Sequence, residues 1–140
     1  YGRAMARALQ ERGVSILGID FDPEAVEHWR KLGFPALYGD AEDPEFPSSL
    51  PLSDVKWAVN AIHPIAQGVT HDDPRLALTD ALRQAGYRGR IAVRVNSGEE
   101  GEQFLKAGAD IVLSPFIDAA ERAVELLEIP ESAKDCSVKP

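Results

Sequence analysis

The chain has 140 residues, 44% hydrophobic and 27% charged, and a formal net charge of −8 from 23 acids against 15 bases. A chain of this size and composition forms one globular domain with its own core, and its acidic balance argues against nucleic acid and anionic membrane surfaces, which need clustered Lys and Arg. The only cysteine, Cys136, lies in a polar stretch, so there is no disulfide framework or thiolate cluster, and no apolar run reaches the ~18 residues of a membrane span.

Helix and strand alternate along the chain. Residues from Gly2 to about Arg12 read as a helix stopped at Gly13, a position suited to a glycine C-terminal cap. Val14 to Asp20 reads as a strand. Asp22-Pro23-Glu24 opens a second helix, with Asp22 as N-cap and Pro23 at the first helical position. Val26, Trp29 and Leu32 form its apolar stripe, and Gly33 ends it. Phe34 to Tyr38 is a short strand closed by Gly39-Asp40, and 41–54 is a loop with at most one helical turn around Phe46 to Leu50. Lys56 to Ile62 is an apolar strand expected to be buried on both faces.

A loop from His63 to Asp73 precedes a helix opened by Pro74, striped by Leu76, Leu78, Ala81 and Leu82, and stopped by Gly86. Then come a strand from Arg90 to Val95, a helix from Glu99 to Ala107, a strand from Asp110 to Leu113 and a helix from Phe116 to Leu127. The domain is expected over 1–128, with a flexible tail over 129–140. Alternating strands and crossover helices imply an α/β fold, a Rossmann-type doubly wound parallel sheet of order 3-2-1-4-5-6. Its first strand is apparently absent from this chain. The sequence begins at a helix, so the chain is expected to be a fragment whose first strand and first glycine precede Tyr1.

The spacing of two residues points to a ligand. Gly2 opens a helix, whose free N–H groups and dipole suit a phosphate, with Arg3 as a charged contact; the plain alternative is an ordinary strand-to-helix turn. Asp20 ends its strand 18 residues later, near the ~20 expected of an acid that holds a ribose diol. A carboxylate there favours NAD or an adenosine nucleotide over NADP. Met5 stands where the third glycine of a G-x-G-x-x-G motif would fall. Asp40 lies at the carboxyl edge of the sheet, where it either caps the next turn or meets an adenine together with Ala61 and Ile62. His28, His63 and His71 lack ligand spacing, and no metal site is expected.

Four stretches, Tyr1-Gly2-Arg3, Gly18-Ile19-Asp20-Phe21-Asp22-Pro23, Tyr38-Gly39-Asp40-Ala41-Glu42-Asp43 and Ala107-Gly108-Ala109-Asp110, occur in this order. Together they resemble the regulator-of-potassium-conductance domains, also called RCK, KTN or TrkA-N domains. Gly86 to Val93 is similar to the versions attached to bacterial cation/proton antiporters and potassium efflux systems. The resemblance implies a cytoplasmic, non-enzymatic regulatory domain at the inner face of the membrane. Such a domain binds NAD(H), AMP, ADP or ATP, pairs as a homodimer and gates the transport of potassium or other cations by a fused or associated membrane protein. It implies Gly2 and Arg3 for phosphate, Asp20 for ribose, and Asp40 with Ala41 for the adenine region; Phe21, Ala61 and Ile62 complete the candidate cofactor-binding set. Phe104, Phe116 and Ile117 are the apolar candidates for a pairing surface. The alternatives are an NAD-dependent oxidoreductase, for which His63 is the one candidate acid or base, and a dimerisation module that no longer binds nucleotide.

Overall fold

The computed structural model describes residues 1–63 and 73–128. The element order is α1 (Gly2–Gln10), β1 (Gly18–Asp20), α2 (Pro23–Lys31), β2 (Ala36–Tyr38), two 3₁₀ turns (Phe46–Ser49 and Leu52–Asp54), β3 (Trp57–Asn60), α3 (Pro74–Gln84), β4 (Arg90–Arg94), α4 (Gly98–Lys106), β5 (Ile111–Leu113) and α5 (Pro115–Leu126). The expected alternation is present. The second 3₁₀ turn was not anticipated. The proposed tail, and most of the loop from His63 to Asp73, lie outside the described residues.

All strand pairings are parallel. β1 pairs with β2, with Gly18 opposite Ala36 and Asp20 opposite Tyr38. β4 lies between β3 and β5, with Val93 opposite both Asn60 and Val112. The sheets β1-β2 and β3-β4-β5 are the two flanks of a 3-2-1-4-5-6 order with its first position left out. Among the described residues no strand joins β1 to β3.

Strands are shorter than their apolar runs. Val14 to Leu17 precede β1 without forming part of it, because a strand exists only where it has a ladder, and the β1–β2 ladder begins at Gly18 and Ala36. Burial of β3 on both faces is not found: Trp57 and Val59 are exposed, while Asn60 is buried. Among the described residues β3 pairs with β4 on one edge only.

The core gathers around β4. Ile91, Val93 and Val95 are fully buried with Phe104 of α4, Leu82 of α3 and Tyr87. Phe104 has no exposed surface, which removes it from any pairing surface; at i+3 from Gly101 it lies on the face of α4 turned to the sheet. In α2, Val26 is buried and Trp29 is half-buried, edge-on to Phe34 with ring centroids 5.3 Å apart. Leu32 of that expected stripe is exposed.

Polar groups tie these layers together. Asp22, Asp73 and Ser97 accept N–H groups of the helices they precede, through Glu24, Arg75 and Glu100. Asp110, in the Ala-Gly-Ala-Asp stretch, accepts the N–H of Ile91 at 2.7 Å and an Arg83 nitrogen at 3.0 Å. It thereby fastens β4, α3 and the start of β5.

Arg75 heads the largest fully buried side chains among the described residues. Its Nε and Nη2 donate to the two oxygens of Asp73 at 3.0 and 2.6 Å, Nη2 also donates to Glu100 at 2.5 Å, and Nη1 donates to the Arg94 carbonyl at 2.9 Å. Its guanidinium lies 4.7 Å from the centre of the Phe104 ring. Removing one member of a buried ion pair strands the other charge, at about 3–5 kcal/mol. Arg75→Ala is therefore expected to destabilise the domain by about that much in urea titration. Arg122→Ala, which removes an exposed pair with Glu125, should cost less than about 1 kcal/mol. Equal losses in the two variants would show that the buried cluster carries no special weight.

Candidate functional site

Parallel strands all deliver their carboxyl ends to one edge of their sheet, where the chain turns into the next helix and leaves backbone groups free for a ligand. At the edge of β1-β2 the sequence-derived residues come together. Asp20 ends β1 and is half-buried. Its Oδ1 accepts the N–H of Asp22 at 3.1 Å, and Oδ1 of Asp22 in turn accepts the N–H of Glu24 at 2.9 Å. The Asp-x-Asp-Pro turn thus uses Asp22 as helix cap and one oxygen of Asp20. The Gly39 N–H donates to the Asp20 carbonyl at 3.0 Å, which brings the turn after β2 beside the end of β1.

Asp40 follows there, exposed, with its Oδ1 accepting the N–H of Glu42 at 2.9 Å, and Ala41 is half-buried. The capping role considered for Asp40 is therefore present. Gly39 has a packing role that spacing alone does not reveal. A Cβ there would overlap the ring of Phe46, which lies across the glycine. Phe21 is exposed to 70% and Tyr38 to 61%, so apolar rings flank the two acids.

The second group lies at the exit of β3 and β4. A Cβ at Gly2 would lie 3.2 Å from that of Ala61, so the absent side chain lets the start of α1 close on the end of β3. Arg3 is exposed beside it. Ala61 and Ile62 are half-buried, and the Ile62 N–H donates to Asn60 Oδ1 at 3.3 Å. The Asn60 amide in turn donates to the Arg75 carbonyl at 3.2 Å.

One step past the Asn60–Val93 pair stands Arg94, a residue that the sequence reading missed. It is buried, with its guanidinium carbon 5.7 Å from the centre of the Tyr1 ring. Burial pushes the Tyr1 hydroxyl up from its ordinary pKa; the charge of Asp118 raises it further and Arg94 opposes the rise. The signal in the sequence was a lone base ending the apolar run Ile91-Ala92-Val93.

Two shallow depressions, of about 490 and 430 Å³, lie on the outer side of α2 and between 47–55 and 85–89. Neither contains a residue of the expected site. His63 is exposed at the end of the β3 segment, and His71 lies outside the described residues. Among the described residues no three His, Cys, Asp or Glu side chains are placed to hold a metal, and no helix is long and apolar enough to cross a membrane.

The TrkA-N domain model matches residues 1–115. The Ktr system potassium uptake protein C of Bacillus subtilis is 26% identical over 122 residues, which cover 87% of this chain and 52% of that protein. The glutathione-regulated potassium-efflux system protein KefC of Escherichia fergusonii is 28% identical over 112 residues, covering 79% of this chain and 17% of that one. The chain thus spans about half of the first relative and a far smaller share of the second.

Among solved structures, the NAD(P)-binding domain of an exopolyphosphatase-related protein from Archaeoglobus fulgidus superposes with a TM-score of 0.77 at 25% identity, over 91% of this chain and 90% of that one. The Kef C-terminal domain of Shewanella denitrificans in its AMP-bound form gives 0.68 at 19%, over 91% and 74%. The GsuK channel bound to NAD gives 0.68 at 18%, over 88% and 21%. These last two likenesses show the Rossmann-type fold.

The packing at Gly39 generates a direct test. Gly39→Ala forces the Phe46 ring to move, and overpacking of this kind costs about 1–3 kcal/mol. Denaturant titration should show that loss, and adding Phe46→Leu should recover part of it. A Gly39→Ala protein as stable as wild type would mean that the ring moves aside freely.

Proposed function

This chain belongs to the TrkA-N domain family, and we propose that it is the nucleotide-responsive regulatory part of a protein that moves potassium or exchanges cations for protons. The observation that carries the reading is the carboxyl edge of β1 and β2, where Asp20 and the Gly39-Asp40-Ala41 turn are held side by side through the Gly39–Asp20 hydrogen bond. Asp20 commits one oxygen to its own turn and presents the other for a ribose hydroxyl. Gly2, with Arg3, opens α1 against Ala61 and offers helix N–H groups to a phosphate. Phe21, Asp40, Ala41, Ala61 and Ile62 line the space between ribose and adenine. The ligand is NAD(H) or an adenine nucleotide, as in the AMP-bound and NAD-bound neighbours, acting as effector rather than as hydride carrier. The reading places the domain on the cytoplasmic side, at the inner face of the membrane.

A regulator needs a second surface that reports the bound state. α5 supplies a candidate: none of its residues is buried, and Phe116, Val124 and Leu127 recur at helical spacing beside Ile117. We assign this face to pairing with a second copy. A nucleotide that favours one arrangement of the pair shifts the attached gate by its differential affinity, for which about 1–3 kcal/mol is typical.

Two measurements test these assignments. Calorimetry with NADH, AMP, ADP and ATP should find a binding nucleotide, and Asp20→Ala should weaken it by about 1–3 kcal/mol, as expected for a lost charged hydrogen bond. Unchanged affinity would take Asp20 out of the site. Sedimentation should give a dimer for wild type and a monomer for Phe116→Glu at the same concentration; a wild-type chain that stays monomeric with and without nucleotide would refute the pairing.

A further inference from the structure

We infer that Asn60 is a positioning residue of the nucleotide site, tying the chain that leaves β3 to the buried Arg75 cluster and so setting where Ala61 and Ile62 stand; this rests on the nucleotide reading above. Asn60 ends β3 and is only 4% exposed. Its ladder partner is Val93, which shares one face of β4 with Ile91 and Val95, and all three are fully buried. An apolar side chain would suit such a place, and an amide there costs free energy unless its polar atoms are answered. Both are answered. Oδ1 accepts the Ile62 N–H at 3.3 Å, and Nδ2 donates to the Arg75 carbonyl at 3.2 Å.

The two bonds do different things. The Arg75 carbonyl already accepts the Thr79 hydroxyl at 2.8 Å, so it does not depend on Asn60 for a partner. Arg75 is itself held by Asp73, Glu100 and the Arg94 carbonyl, which makes its backbone a fixed point for the amide. The other bond uses that fixed point. The ladder between β3 and β4 ends at Asn60, and beyond it the Ile62 N–H is held by the Asn60 side chain. This turn spans Ala61. The start of α1 approaches the same residue, since a Cβ at Gly2 would lie 3.2 Å from that of Ala61. Asn60 thus sets the backbone of two site residues and, through Ala61, the seat of a third. Its burial keeps it from touching the ligand, so it acts through these neighbours.

Thr79→Val is the control, because it removes the other side-chain donor to the same carbonyl and leaves the exit of β3 alone. Calorimetric titration uses AMP, or NADH if wild type does not bind AMP. Asn60→Ala should bind about 3–10-fold more weakly than wild type, the weight of one hydrogen bond, and Thr79→Val within about twofold of wild type. The Ile62 amide should exchange with deuterium about tenfold faster in Asn60→Ala than in Thr79→Val. If Asn60→Ala fails to fold, Asn60→Leu, which keeps the volume and removes both bonds, is read in the same way. Affinity within about twofold of wild type in the Asn60 variant overturns the inference. So does an equal loss of affinity in Thr79→Val, or Ile62 exchange that is alike in the two proteins; these outcomes leave the nucleotide reading standing. A wild type that binds neither nucleotide overturns that reading and this inference with it.

Discussion

A guanidinium with no exposed surface holds the β3-β4-β5 half of the molecule in place. Arg75 lies at the start of α3, and the groups that answer it come from its own N-cap, from the carbonyl at the end of β4 and from the first turn of α4. A buried charge is tolerated only while each of its donors is answered, so none of those segments can shift without exposing an unpaired ion. Glu100 extends the constraint, since its second oxygen takes the N–H of Asn96 at 2.5 Å, just past β4. The carboxyl end of β4 is thereby fixed from three sides. Whatever binds at that edge meets a wall that is already formed, which lowers the ordering cost of binding.

The site faces an electrostatic problem set by the whole chain. With a formal net charge of −8, the domain repels a phosphate at long range. Binding an anionic nucleotide therefore requires positive potential concentrated at one point. The free N–H groups of α1 and the exposed Arg3 lie where β3 ends, while Asp20 and Asp40 lie at the end of β1-β2. This division suits a molecule with a phosphate at one side and a sugar diol at the other. Asp20 and Asp40 each commit one oxygen to a local turn, so their positions are set before a ligand arrives.

Much of this was legible in the residues. The helix starts at Asp22-Pro23 and Asp73-Pro74 are local chemistry, as are the stops at Gly13, Gly33, Gly86 and Gly108, which all have positive φ; the Ser97 cap appears only in the structure. Asp20 at the end of β1 followed from the alternation of helix and strand. What escaped was set by long-range packing. The burial of Arg75 has no local signal, because nothing near it in the chain announces that Glu100, 25 positions later, closes over it. Phe104 and Phe116 looked alike as surface candidates; only the sheet distinguishes the face of α4 that it covers from the uncovered face of α5. Strand lengths failed for a similar reason: an apolar run such as Val14 to Asp20 states what can be buried, whereas the ladder with Ala36 to Tyr38 states what is paired. Gly39 was read as a marker of the ligand edge, and its contact with Phe46 appears only in three dimensions.

The central claim is that an adenine nucleotide seats on the carboxyl edge of both sheets. Backbone amide resonances followed during titration with AMP and with NADH test it most directly. The account predicts shifts concentrated at Gly2 and Arg3, at Asp20 and Phe21, at Asp40 and Ala41, and at Ala61 and Ile62, with the amides of α2 and the middle of α3 unmoved. Saturable binding whose shifts fall elsewhere, for instance around Pro23 to Lys31 beside the depression on α2, would contradict it.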